Sequence, residues 1–253
     1  LLGNLHDFDP DTEMVAFDKL TPIDQWALIK LNDVIQKTTT TYDNYDIFKV
    51  YHTLNQFFTT ELSAKYLDIL KDRLYTGKKN GIARKSSQTV FYHLLNNLVG
   101  LLAPVLGFLS EETYKYIPGK NKRESVFLTD FPKPQAEWVG PELVAHFDIL
   151  NSIREDVTKQ LEELRRNKTI GSSLDAQIKL ATTGEQFQSL TKFKNDLREF
   201  FIVSSVELVE GKYSISAQRA EGEKCVRCWH YSTELSKDER VAGLCPKCVV
   251  ALR

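Results

Sequence analysis

Residues 86–102 of the chain read SSQTVFYHLLNNLVGLL, and their apolar side chains repeat at the three- and four-residue spacing of one helix face. The apolar set comprises Val90, Phe91, Leu94, Leu95, Leu98, Leu101 and Leu102. Ser86 and Ser87 favour a helix start, and Pro104 bends or ends the helix because proline lacks a backbone N–H. The stretch therefore predicts a long amphipathic helix with one buried side.

Two helices are predicted before this stretch and one after it. Thr21-Pro22 with Asp24 supplies a cap, a proline at the first helical position and an acid in the first turn. A second helix opens near Tyr45 and ends by Gly77. Its predicted buried face comprises Phe48, Tyr51, Leu54, Phe57 and Phe58, continued by Leu62, Tyr66, Ile69 and Leu70. A short fourth helix begins at Ser110, and the set is typical of an antiparallel bundle.

The pattern changes after residue 120. A linker over 120–140 precedes a charged helix that begins at Pro141 and ends near Lys168. Apolar and polar residues then alternate from Leu174, which predicts a half-buried strand. A helix over 184–200 and strands over 201–209 and 213–218 complete a small α/β unit.

The four cysteines of the chain lie in its last thirty residues. Cys225 and Cys228 form one Cys-x2-Cys pair, and Cys245 and Cys248 form another after sixteen residues, which is the spacing of a four-thiolate zinc site. With all four sulfurs used, no coordination position is left for substrate or water, so one structural Zn²⁺ is predicted. Arg227 and Trp229 lie on the first turn, and an aromatic with an arginine there suggests recognition.

Other interpretations of these cysteines and of Trp229 stay open. Two disulfides would need an oxidising compartment, and a redox Cys-x-x-Cys would need a strand-then-helix context without a second pair. The zinc could serve only to fold a small tail, because a short segment buries too little core to fold without a metal or a disulfide. Trp229 could belong to that core instead of contacting a partner.

Composition restricts the function further. The chain has 253 residues, 42% of them hydrophobic, and a formal net charge of -1 that gives no general attraction to nucleic acid. If the chain binds RNA, its basic residues must therefore be concentrated at the contact surface. Arg165, Arg166 and Lys168 are candidates for phosphate contact. The sequence contains no run of about 18 apolar residues, so no membrane span is predicted. Reduced, metal-bound cysteines favour the cytoplasm or an equivalent reducing matrix.

These features together predict a mainly α fold: an antiparallel helical bundle, a small α/β unit and a C-terminal four-cysteine zinc module. The predicted division is a lead-in over 1–20, the bundle over 21–119, the linker over 120–140, a helix plus α/β unit over 141–218, and the zinc module over 219–253. Neither a Gly-rich phosphate loop nor a Gly-x-Ser-x-Gly elbow occurs, and the five histidines lie apart in the sequence. No catalytic residue is assigned.

Several motifs, taken in order, resemble the C-terminal region of bacterial-type isoleucyl-tRNA synthetase, a class I aminoacyl-tRNA synthetase. They include Leu2-Gly3-Asn4-Leu5, Asp7-Phe8-Asp9-Pro10, Glu61-Leu62-Ser63-Ala64-Lys65-Tyr66, Leu101-Leu102-Ala103-Pro104, Lys168-Thr169-Ile170-Gly171, Cys225-Val226-Arg227-Cys228-Trp229 and Cys245-Pro246-Lys247-Cys248. The resemblance covers essentially the whole chain. Individual pieces are shared with valyl, leucyl and methionyl synthetases, whereas the terminal module points to the isoleucine enzyme.

The resemblance implies recognition of the tRNA anticodon by a piece of a larger enzyme. In that family, the Arg and Trp of the first zinc knuckle lie against the anticodon loop, which carries over to Arg227 and Trp229. The two ATP-handling signatures of the family are absent from this sequence, so we expect ATP to be used only in the intact isoleucine–tRNA ligase. The implied partners are isoleucine-specific tRNA and the missing catalytic domain of the same polypeptide, and a monomer is expected.

Two other classes of function remain. DNA glycosylases that excise oxidised purines end in a similar four-cysteine finger, but they begin with a Pro-Glu pair that this chain lacks near its start. A zinc-stabilised scaffold for protein interaction is the other. Preferential binding to one tRNA would separate these alternatives from anticodon recognition.

Overall fold

The helices predicted for the first half of the chain are present in the computed structural model, which describes residues 1–120 and 122–252. Contacts divide the chain into two units. The first comprises Leu1–Leu74 and Asn80–Pro141, and the second comprises Tyr75–Lys79 and the chain from Glu142 onward.

The first unit is helical. Its elements are α1 (Pro22–Asp43), α2 (Ile47–Gln56), a π-helical segment (Phe57–Leu67), α3 (Lys71–Thr76), α4 (Ile82–Leu102) and α5 (Gly107–Lys115). The last two residues of α3, Tyr75 and Thr76, belong to the second unit. Thr21 occupies the N-cap position of α1 and Pro22 its first turn, as predicted, but the Thr21 side chain makes no capping hydrogen bond. Side chains of α1 and α4 form much of the core, including Leu28, Leu31, Ile35, Phe91, Leu94 and Leu101. The helix predicted from residues 86–102 is therefore at the centre of this unit.

A buried carboxylate joins the helices of the first unit. Asp24 of α1 is 0% exposed, and it accepts hydrogen bonds from the hydroxyl of Tyr66, from Arg73 Nη1 at 3.0 Å and from Ser87 Oγ at 3.1 Å. Thr21 Oγ1 donates to the same carboxylate at 2.6 Å. Burial and the nearby Asp24 carboxylate raise the pKa of Tyr66, so its hydroxyl stays a donor. The side chain read from sequence as a first-turn acid is thus a structural anion.

The predicted buried face of the second helix is partly wrong. Leu54 and Phe57 are buried as expected, but Phe48 is 72% exposed and Tyr51 is also exposed, while Val50 is fully buried. The later residues of that face, Leu62, Tyr66, Ile69 and Leu70, are buried as predicted, although the helix changes to wider i→i+5 turns at Phe57. Phe48 does not join the core, and its ring lies in an edge-to-face contact with His52, with ring centroids 4.3 Å apart.

Helix α4 begins at Ile82, four residues before the predicted start at Ser86. Its first turns are buried but polar, which hid them from a search for apolar periodicity. Arg84 forms a two-pronged ion pair with Asp7, with both nitrogen–oxygen distances at 3.0 Å. Gln88 Nε2 donates to the carbonyl oxygen of Asn4 at 2.8 Å. The first residues of the chain thus pack on α4 and contribute Leu5 and Phe8 to the core.

The segment after α5 lies against the helices of the same unit. Asn32 Oδ1 accepts the Gln135 N–H at 2.7 Å, and Trp138 meets His93 edge-on at 5.0 Å. A Cβ at Gly100 would lie 2.8 Å from Pro132 Cγ, so the close approach of this segment to α4 requires glycine there. The division of the chain proposed from sequence stays a prediction.

The second unit contains α6 (Pro141–Arg166), β1 (Ala176–Thr182), α7 (Gly184–Lys192), α8 (Leu197–Phe201), β2 (Ser205–Glu210) and β3 (Ser214–Arg219). Strand β1 is central in the order β2-β1-β3, parallel to β2 and antiparallel to β3. A two-stranded ribbon of β4 (Glu223–Lys224) and β5 (Tyr231–Ser232) follows, with α9 (Pro246–Leu252). The predicted fold class is confirmed. Within residues 1–120 and 122–252, no helix is long and apolar enough to cross a membrane.

We expect Asp24→Asn to destabilise the protein by about 3–5 kcal/mol, because the buried Arg73 guanidinium would lose its ion pair with the Asp24 carboxylate. Urea unfolding followed by circular dichroism measures this change in the free energy of unfolding. The matched control is Asp33→Asn, which changes an exposed carboxylate of the same helix and should stay within about 0.5 kcal/mol of the parent. Equal midpoints for the two variants would contradict a structural role for the Asp24 network.

Candidate zinc site and nucleic-acid interface

The four cysteines converge in the second unit. Cys225, Cys228, Cys245 and Cys248 are all buried, and their sulfur atoms lie within 4.8 Å of one another. A tetrahedral zinc with Zn–S bonds of about 2.3 Å separates its ligand sulfurs by roughly 3.8 Å. The Cys228 and Cys245 sulfurs, at 3.6 Å, match that spacing and are far too distant for a disulfide. The set fits one structural Zn²⁺.

Backbone N–H groups prepare the site for thiolates. Burial raises the pKa of the Cys225 thiol, but hydrogen bonds from the backbone at Cys228, Cys245 and Arg227 outweigh it and lower that pKa to about 6. Burial raises the pKa of Cys228 and Cys248. Buried thiolates of this kind need a cation beside them, and zinc supplies it while releasing their protons.

Little apolar core surrounds the metal ligands. The cysteines pack with buried Leu244 and with partly buried Leu235, Val241 and Val249. Gly222, at φ +86°, begins the ribbon, and a Cβ there would lie 2.3 Å from the Ser232 carbonyl oxygen. The module is therefore held by its metal and by tight turns, as small domains with little core require.

Trp229 lies outside that small core. Its side chain is 61% exposed, and its backbone has φ +66°, a conformation that bulky residues rarely adopt. Its N–H donates to the Cys225 carbonyl oxygen at 3.0 Å and so closes the first knuckle. Glycine would make the same turn without strain. A tryptophan there is explained neither by the turn nor by the core, and the interpretation of Trp229 as core is excluded.

Arg227 is half-buried and folds back onto its own unit. Its Nη1 donates to the Thr76 carbonyl oxygen at 2.5 Å and to the Cys248 sulfur at 3.7 Å. Lys247 Nζ donates to the Thr76 hydroxyl at 3.3 Å. A guanidinium beside a metal thiolate offsets the negative charge of the four-sulfur site, so Arg227 supports the metal ligands. Its contact with tRNA stays a prediction.

The three basic residues near the end of α6 differ in their surroundings. Arg165 is ion-paired with Glu162 and donates from Nη2 to Ser173 Oγ at 2.9 Å. Arg166 is exposed. Lys168 is also exposed, and at φ +57° it ends the helix, with the Thr169 N–H returning to the Leu164 carbonyl oxygen. Their phosphate contacts remain predictions.

One loop connects Arg165 with the zinc knuckle. Arg165 contacts Ser173, and two residues later the Asp175 carboxylate accepts from Lys224 Nζ at 3.4 Å. Lys224 in turn lies 5.9 Å from the centroid of the Trp229 ring system. Arg219, Lys224 and Tyr231 were not singled out from sequence. The signal that could have found them is a pair of basic residues, Arg219 and Lys224, shortly before the first Cys-x2-Cys pair and two aromatic residues, Trp229 and Tyr231, directly after it.

The chain has a helical bundle, an α/β unit and a zinc finger with an exposed aromatic, and family comparisons assign these parts to the anticodon-binding region of tRNA ligases. The family described as "Anticodon-binding domain of tRNA ligase" matches residues 24–180, and "Zinc finger found in FPG and IleRS" matches residues 222–250. The chain belongs to this tRNA-ligase family.

Individual relatives are isoleucine–tRNA ligases. That of Thermotoga maritima is 41% identical over 262 residues, and that of Geobacter sulfurreducens is 43% identical over 265 residues. Each match covers 100% of this chain but only 28% of the relative, so the chain spans little more than a quarter of their length. The resemblance to isoleucyl-tRNA synthetase predicted from the motifs is confirmed.

Replacing Cys225 by serine should release the zinc and unfold only the zinc module, because three thiolates around a site with little core cannot hold both metal and fold. Zinc content measured by mass spectrometry after dialysis tests the first part. Thermal unfolding followed by circular dichroism tests the second, since the transition of the helical bundle should not shift. Full zinc retention by the variant would show that Cys225 is not a ligand.

Replacing Arg227 by alanine should weaken zinc binding by about 10- to 100-fold, the usual loss when a contact to a metal ligand is removed. Competition with a chromogenic chelator measures the affinity. Arg240→Ala is the matched control, because Arg240 is an exposed arginine of the same module, paired with Asp238, and contacts no zinc ligand in the contacts described for it. If both variants retain parental zinc affinity, Arg227 does not support the site.

Proposed function

We propose that the chain is the anticodon-recognition part of an isoleucine–tRNA ligase. The observation that carries this proposal is Trp229, which is held exposed by a metal-closed turn with the cation of Lys224 at its ring face. An exposed indole can stack on an unpaired base, and stacking on an aromatic side chain contributes about 1–3 kcal/mol per base. Membership in the anticodon-binding family supports the assignment to tRNA.

The two units would serve different parts of the tRNA. In this proposal, the helices of residues 21–119 hold the anticodon stem, and the zinc module contacts the loop through Trp229 and Arg227. Arg165, Arg166 and Lys168 would contact phosphates. Because Arg227 also contacts a zinc ligand, its effect on RNA must be measured on protein with full zinc content.

The remainder of the enzyme completes the reaction in this proposal. The intact ligase would use ATP to attach isoleucine to its tRNA, in a catalytic domain of the same polypeptide that this chain does not include. The partner is then isoleucine-specific tRNA, bound by a monomer. The reduced thiolates of the zinc site support the cytoplasm as its location.

Zinc-loaded protein should bind isoleucine tRNA more tightly than the same tRNA with one altered anticodon base. Trp229→Ala should lower the affinity for the native tRNA by about 5- to 100-fold without changing zinc content. Fluorescence anisotropy at several salt concentrations measures both effects. Val250→Ala, which changes an exposed apolar residue of α9, is the matched control and should bind like the parent.

Three other outcomes have distinct meanings. Equal binding to both tRNAs would assign specificity to the rest of the enzyme. Preference for duplex DNA would favour the glycosylase-like alternative. If the protein binds no nucleic acid of any kind, a structural zinc tail or a protein scaffold remains, and the proposed function is wrong.

A further inference from the structure

Two cation–aromatic pairs lie next to each other on the zinc module. Lys224 Nζ lies 5.9 Å from the Trp229 ring, and the Arg219 guanidinium lies 5.8 Å from the Tyr231 ring. Arg219 Nη2 also donates to the Tyr231 hydroxyl at 3.4 Å. Lys224 and Tyr231 are direct partners across the β4–β5 ribbon, so their side chains share one face. These four residues are called the basic–aromatic strip.

The strip is not part of the core of the module. Arg219, Lys224 and Trp229 are exposed and Tyr231 is partly buried, whereas the core around the cysteines is made of aliphatic side chains. A cation over an exposed ring adds only about 0.5–1 kcal/mol. Stability of the fold therefore does not account for two such pairs side by side.

The backbone under the strip is firmly held. The Tyr231 N–H donates to Ser204 Oγ at 2.7 Å, and the Ala220 N–H donates to the Asp175 carbonyl oxygen at 2.8 Å. Ser204 in turn donates to the Leu174 carbonyl oxygen. These bonds fasten the ribbon to the ends of β1 and β2. Side chains on such a fixed backbone lose little freedom when a ligand binds.

The charges beside the strip leave it basic. The Asp175 carboxylate, which accepts from Lys224, also accepts the N–H groups of Gly171 and Ser172, and hydrogen bonds of this kind hold its pKa below the usual range despite its burial. Glu223 neighbours Lys224 in β4, and successive strand residues point to opposite faces. The strip thus offers two cations, and the Asp175 carboxylate that faces Lys224 is already shared with two backbone N–H groups.

We propose that the basic–aromatic strip binds a second unpaired nucleotide of the anticodon loop, next to the one on Trp229. Its base stacks on Tyr231, and the intervening phosphates contact Lys224 and Arg219. Interleaved aromatic and basic side chains are the usual surface for single-stranded RNA, because rings accept bases of any identity and cations follow the backbone. The inference rests on the proposed function and extends it from one stacked base to two.

The test is a set of alanine variants combined with abasic sites in the tRNA. With zinc-loaded protein and isoleucine tRNA, Tyr231→Ala should lower affinity about tenfold. Lys224→Ala and Arg219→Ala should each weaken binding and reduce the slope of log K against log salt by about one. Lys212→Ala is the matched control, because Lys212 is an exposed lysine before the other end of β3.

Abasic substitution assigns each ring to a nucleotide. The effect of Trp229→Ala should vanish when one loop position is abasic, and the effect of Tyr231→Ala should vanish at a neighbouring position. Circular dichroism and zinc content verify that each variant is folded, and Tyr231→Phe should bind like the parent because the ring is retained.

The failures can be told apart. If Trp229→Ala weakens binding while Tyr231→Ala, Lys224→Ala and Arg219→Ala match Lys212→Ala, the strip binds no second nucleotide and the proposed function stands. If the effects of Trp229→Ala and Tyr231→Ala vanish at the same position, only one base is bound. If Trp229→Ala also has no effect, the proposed function fails together with the strip.

Discussion

The arrangement of the helical unit depends on one buried negative charge. Asp24 has no access to water, and such a carboxylate is tolerable only when charges and hydrogen bonds replace its hydration. Tyr66, Arg73 and Ser87 supply those contacts from the π-helical segment, α3 and α4. Each donor comes from a different segment, so the network has one arrangement that satisfies it. Apolar packing alone would accept several registers of the same helices, whereas the carboxylate accepts one.

Zinc has the corresponding role in the recognition module. The metal closes a turn that places Trp229 at positive φ, and that strain is sustained because four ligands over-determine the local backbone. The same turn starts β5, which sets Tyr231 opposite Lys224. Metal coordination therefore fixes both the exposure of the aromatic rings and the placement of the cations. A module without zinc would lose its binding surface even if every contacting residue were intact.

Much of this could be read from the sequence, and the errors have a common origin. The Cys-x2-Cys spacing, the Thr21-Pro22 start and the apolar face of α4 are local patterns, and the structure agrees with them. The burial of Asp24 and the early start of α4 depend on partners far away in sequence, whereas the exposed Phe48 contacts only a neighbour on its own helix, His52, among the ring contacts described for it. Periodicity assigns a polar residue to water and an aromatic residue to the core, so it cannot predict a buried ion network or an exposed aromatic ring.

The near-neutral charge of the chain bears on how recognition is divided within a ligase. A protein that holds RNA chiefly by phosphates needs a strong basic excess, and its binding depends little on base identity. This chain has a formal net charge of -1, and two cations of the proposed interface, Arg165 and Lys224, are partly neutralised by Glu162 and Asp175. In the proposed interface, stacking and base contact would then carry a larger share of the binding free energy than charge does. An interface of this kind would have high specificity for one RNA loop over another but low affinity for either. Contacts elsewhere in a full-length enzyme would then supply the affinity.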